Sequence, residues 1–166
     1  MTQVRCLILA CGNTLRGDDG VGPWLAQWAE SRFQADDSVC VIARQQWTPE
    51  LAQEVAQAES VLFIDCSVES APGLIQLTPV APAVAAQGLA THRVGAAELL
   101  ALAGELFHSQ PGSALQLTIG AGALSLSEEF SDVVTDALPR ACQLLEATIR
   151  TFLLDPADKE CAASIH

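Results

Sequence analysis

The chain has 166 residues, half of them hydrophobic and 17% charged, the profile of one globular domain long enough to bury a core. Twenty acidic residues against eight basic ones give a formal charge of −12, and Lys159 is the only lysine. Such a surface repels phosphate backbones and anionic membranes, so neither nucleic acid nor membrane is an expected partner, whereas a cation or a basic peptide is.

The apolar run at 4–11 is too short for a secretory core region and ends in Gly-Asn without a cleavage site, so it is expected to be a buried first strand. No stretch approaches the ~20 apolar residues that span a bilayer, and the chain is expected to be soluble and cytoplasmic. A Gly/Asp-rich loop follows, then a helix with Pro23 in its first turn and Val21, Trp24, Leu25 and Trp28 on one face. Residues 38–44 read as a second strand. Thr48-Pro49-Glu50 has the form of a helix start, with that helix reaching about residue 58. A third apolar strand covers 61–66, and a shorter, more exposed one covers 74–77. A helix is expected over 94–107, a strand over 115–119, and a long helix over 131–153.

Pro139 inside the last of these removes the bond to the Thr135 carbonyl, which predicts a kink or a late start. The domain is expected to end near 154, leaving 155–166 as a frayed polar tail. Strands alternating with helices predict an α/β fold. The expected form is a single three-layer α/β/α domain, with a mainly parallel, five-stranded twisted sheet and helices on both faces. Ligands in such folds bind beyond the carboxyl ends of the strands. The six cysteines (Cys6, Cys11, Cys40, Cys66, Cys142, Cys161) form no CxxC pair. Three of them lie in strand-like apolar runs, so they read as buried free thiols and not as a disulfide framework or metal site.

The loop at 12–22, GNTLRGDDGVG, is the most informative segment. Gly12 and Gly17 are spaced as in a phosphate loop, but Asp18 and Asp19 replace the lysine and hydroxyl that would face phosphate and magnesium. A third glycine for a dinucleotide fingerprint is missing as well. Carboxylates are hard oxygen ligands that suit cations. One acid would be enough to cap the following helix, so two acids among four glycines look like a site. Asp65 ends an apolar strand and so falls at the functional edge of a parallel sheet, although it would equally serve to bond nearby amides. His92 lies in a loop, where a histidine is more often solvated than functional. Of the other two, His166 is terminal and His108 is explained by the helix end it occupies.

The stretch LILACGNTLRGDDGVGPWLA resembles the opening of the hydrogenase maturation endopeptidases, whose members carry a G-N-x-L-x-x-D-[DE]-x-x-G signature. The strand ending in Asp65, the loop Thr91-His92-Arg93, and the strand at 115–122 with its long final helix resemble the same family in order and spacing. The likeness extends to about residue 154. It implies an endopeptidase that removes a short C-terminal extension from the large-subunit precursor of a nickel–iron hydrogenase once nickel has been inserted. On that resemblance Asp19, Asp65 and His92 are both the catalytic residues and the metal ligands. The nickel is supplied by the precursor, with zinc or cadmium as substitutes in vitro, and the protein is expected to be a monomer.

Where many members have a Gly-Gly-Thr-like turn, this chain has Arg44-Gln45-Gln46-Trp47-Thr48, and Trp47 is expected to narrow the cleft. Cys66 is not expected to be a nucleophile, because a strand-end thiol beside a carboxylate ionises poorly. A nickel-binding chaperone without protease activity shares the same three ligands. A receiver-like signalling domain would need a lysine after a late strand, and the only lysine is Lys159.

Overall fold

Apolar runs without alternation, separated by amphipathic segments, demand a sheet covered on both faces, and that is the arrangement found. The computed structural model describes residues 2–84 and 94–163. Its strands are β1 (Cys6–Cys11), β2 (Val39–Arg44), β3 (Ser60–Ser67), β4 (Ile75–Pro79) and β5 (Ser113–Gly120), arranged as one five-stranded sheet in the order β2-β1-β3-β5-β4. Strands β2, β1, β3 and β5 are parallel, and β4 closes the edge antiparallel to β5.

The helices are α1 (Val21–Arg32), α2 (Ala52–Gln57), α3 (Ala96–Phe107), α4 (Asp132–Leu153) and α5 (Pro156–Ala163). The two-residue repeat of the strands divides their side chains between two cores. Cys6, Ile8, Ala10, Leu62, Ile64, Leu117 and Ile119 face α1 and α4, where they meet Leu25, Leu145 and Ile149. Leu7, Leu9, Val61 and Phe63 face α2 and α3, where they meet Val55, Leu99 and Ala103. Among the described residues no helix is long and apolar enough to cross a membrane.

Several elements differ from the sequence reading for definable reasons. The α1 stripe is Val21, Leu25, Ala26 and Ala29, with Trp24 on its margin, 38% exposed and edge-on to Phe130. The small residues let the helix lie close to the sheet, and the large ring is left at the rim. Thr48 makes no side-chain cap. The segment after it opens as a 3₁₀ turn, Pro49–Leu51, before becoming α2. Helix α4 starts at Asp132 and runs through Pro139 to Leu153, so no late start occurs. Pro139 and Thr135 are both on the exposed side, where water is available to the carbonyl the proline leaves without a partner. Val134, Ala141, Leu145 and Ile149 anchor the buried face of α4 on either side of it.

In place of a frayed tail, Pro156 opens α5. Arg5 holds the junction by donating from Nη2 to the Leu154 carbonyl at 3.0 Å and to the Asp155 carboxylate at 3.3 Å. His108 closes α3 in the left-handed conformation, φ 54°, with its N–H bonded to the Gly104 carbonyl.

Candidate functional site

Strands β1 and β3 run in register from Cys6↔Ser60 to Ala10↔Ile64, so Cys11–Gly12 and Asp65–Cys66 leave the carboxyl edge side by side. The loop after β1 then folds back over this edge. Asn13 shapes its turn: the Asn13 side-chain oxygen accepts the Leu15 N–H at 2.9 Å, and its carbonyl accepts the Arg16 N–H at 3.0 Å. Gly12 has φ +148°, and a Cβ there would collide with the Asp19 carbonyl, so the loop can double back only over a glycine.

The two adjacent acids have different tasks. Asp18 is fully buried and accepts four hydrogen bonds. These come from the Gly122, Ala123 and Ser131 backbone N–H groups at 2.7–2.8 Å and from the Ser131 hydroxyl at 2.7 Å. It pins the loop between β5 and α4 to the loop after β1. Burial raises the Asp18 carboxyl, but the Ser131 hydroxyl and the three backbone donors outweigh it and hold it below its ordinary value. The expectation that both acids belong to one site therefore narrows to Asp19. Its Oδ2 accepts the Asn13 N–H at 2.8 Å, while the side chain remains partly open to solvent. Asp65 is also partly exposed and accepts its neighbour Cys66 N–H at 2.7 Å.

Asp19 and Asp65 line a common cleft of about 500 Å³. Arg16 and Leu124 form one side, Gln45, Gln46 and Trp47 another, and Cys66 and Val68 continue the wall from β3. Val94 and Gly95 contribute as well. His92 lies outside the described residues. Among the described residues no three His, Cys, Asp or Glu side chains are grouped to hold a metal ion, so the two carboxylates would form only part of a shell.

Trp47 does border the cleft. Its ring is 4% exposed and packs edge-on against Phe63 at 5.3 Å, and its indole N–H has no acceptor among the described residues. Cys66 is a poor nucleophile: burial, then the charges of Asp19, Asp65 and Asp18, push its thiol up to about 12. No disulfide joins Cys6, Cys11, Cys40, Cys66 or Cys142 among the described residues.

The anchoring of Asp18 and the presence of Arg16 and Leu124 in the cleft were not anticipated. The partners of Asp18 lie over a hundred residues away, and nothing in the spacing of Gly122, Ala123 and Ser131 marks them as donors. Leu15 and Arg16, set in a loop otherwise of Gly, Asn, Thr and Asp, were the one available signal.

No family model matches the sequence, and no curated protein matches it. Solved structures do. The hydrogenase maturating endopeptidase HybD from E. coli is similar with a TM-score of 0.71 at 19% identity, over 88% of this chain and 92% of that one. A hydrogenase 2 maturation peptidase from a Thaumarchaeota archaeon is similar with a TM-score of 0.61 at 25% identity, over 87% and 97%. A [NiFe] hydrogenase maturation protease, HybD from Thermococcus kodakarensis, gives 0.62 at 23% identity, over 87% and 98%. The chain has the fold these proteins share.

Proposed function

We propose that this chain, whose fold is that of the hydrogenase maturation endopeptidases, is itself such an endopeptidase. It removes the C-terminal extension of a nickel–iron hydrogenase large-subunit precursor after nickel insertion. The observation that carries this reading is the meeting of Asp19 and Asp65 in one cleft beyond the carboxyl edge of the sheet. Both are partly solvent-open, and the thiol of the neighbouring Cys66 is pushed up too far to compete as a nucleophile.

In this mechanism the precursor's nickel is part of the substrate. Asp19 and Asp65 grip it through carboxylate oxygens and His92 through its imidazole, which sets the scissile bond over the cleft. Val94, two residues after His92, lines that cleft. A water then attacks the peptide carbonyl and passes its proton to a carboxylate, which hands it to the amide nitrogen as the C–N bond breaks, so that the nitrogen leaves as an amine. Cleavage thus depends on loaded metal. The free thiols suit a reducing, cytoplasmic compartment, and the protein acts as a monomer.

The test uses the nickel-loaded precursor and Asp19→Asn, Asp65→Asn and His92→Ala variants whose folding is checked by circular dichroism. Each variant should leave the precursor uncut. Full processing by any one of them removes that residue from the mechanism. A wild-type protein that binds the loaded precursor without any mass loss at its C-terminus would be a nickel-binding chaperone instead.

A further inference from the structure

The loop carrying Asp19 and the loop between β5 and α4 are stitched together outside the cleft. Ser127 N–H donates to the Leu15 carbonyl at 3.0 Å, Gly17 N–H donates to the Ser127 carbonyl at 2.7 Å, and Arg16 and Ser127 pair as a short parallel bridge. Asp18 locks the base of the same pair through its four bonds. This bonded ridge carries two leucines in water, Leu126 at 90% and Leu15 at 51% exposure, and Val68, on the cleft wall, is 72% exposed. Single exposed apolar residues are ordinary. Here Val68 lines the cleft, and Leu15 and Leu126 lie in the chain beside its wall residues Arg16 and Leu124, on two loops bonded to each other.

The charges beside them have one sign on both sides: Glu128 and Glu129 follow the ridge and Glu69 follows Val68, all exposed, with Asp19 and Asp65 between. Among the described residues that line the cleft, Arg16 is the one basic side chain.

We propose that Leu15, Leu126 and Val68 form a docking rim for the stretch of the precursor that flanks the cut bond, a stretch carrying apolar side chains interspersed with lysine or arginine. This rests on the endopeptidase reading and extends it from the carboxylates to the surface that selects the substrate. The apolar residues desolvate against the rim, the basic residues face Glu69, Glu128 and Glu129, and continuity with the cleft carries the chain to Asp19 and Asp65.

The experiment reads binding separately from cleavage. The nickel-loaded large-subunit precursor of the cell's own hydrogenase, carrying proline after the cut bond so that it is not cleaved, is immobilised and its Kd measured for the otherwise wild-type protein, with and without Leu15→Ser plus Leu126→Ser. The double substitution should raise Kd roughly tenfold or more, and Glu128→Lys plus Glu129→Lys should raise it roughly threefold. Leu106→Ser, at a 60% exposed leucine in α3, should leave it unchanged. An unaltered Kd in the Leu15/Leu126 variant, an equal rise with Leu106→Ser, or no binding by the otherwise wild-type protein overturns the proposal. So does a solution dimer that Leu126→Ser disperses, which would give the rim to a second copy. A wild-type protein that cuts while the rim variants bind normally sinks the rim alone. Rim-dependent binding with no cutting by wild type sinks the peptidase reading alone.

Discussion

A carboxylate that accepts four donors and one that accepts a single backbone N–H do different work, even when they are neighbours in the chain. Asp18 is held by donors from Gly122, Ala123 and Ser131, and Asp19 is left largely uncommitted toward the cleft. Replacing Asp18 by asparagine keeps the shape but turns an NH₂ toward N–H groups. This should cost roughly 3 kcal/mol of unfolding free energy in urea titration. The pH dependence has a definite sign. The folded-state value of Asp18 lies below its ordinary value, so its contribution is fully present above the unfolded pKa of about 4 and fades as pH falls through the lower folded value. The stability gap between wild type and Asp18→Asn should therefore be constant near neutrality and shrink below about pH 4. A gap that stays level into acid would mean the carboxylate charge is not what holds the loops.

At the scale of elements, the start of α1 is decided by contact and not by helix preference. A Cβ on Gly22 would run into the Cys11 carbonyl and crowd that of Ile64, because the helix begins directly over the ends of β1 and β3. Intrinsic propensity favours alanine over glycine inside a helix by about 1 kcal/mol. The packing clash has the opposite sign and should win, so Gly22→Ala is expected to destabilise by roughly 1–3 kcal/mol in denaturant titration. It should also slow precursor processing, since the same turn carries Asp19. A stabilised Gly22→Ala protein would show that the helix can retreat from the sheet edge without cost. Helix α4 tolerates Pro139 for a related reason: the side that loses the hydrogen bond faces water, and the side that packs is intact.

Across the whole molecule the sheet couples two cores that share no helices. Leu145 on α4 and Leu99 on α3 are both fully buried, on opposite faces. Each replaced by alanine should lower stability by roughly 2–5 kcal/mol. Both cores hang on the same β1 and β3, so unfolding should stay a single transition, coincident by circular dichroism and tryptophan fluorescence. A two-step transition in either variant would mean the faces unfold independently.

Periodicity and composition were enough to determine the α/β class and the order of the strands and helices along the chain, and they marked the acids of the 12–22 loop and Asp65 as candidates, while the choice of Asp19 and of His92 rested on the family resemblance. Unbroken apolar runs such as those of β1 and β3 can be buried only between two layers, and a strand-end carboxylate can emerge only at the sheet edge. Why Asp18 is withheld from the cleft was legible only in the tertiary structure. It depends on donors brought from residues 122–131, and a contact over that sequence distance leaves no local signature in hydrophobic pattern or turn chemistry. The same holds for the ridge of Leu15 and Leu126: each is an ordinary loop leucine in the sequence, and only the pairing of Arg16 with Ser127 brings their two loops together.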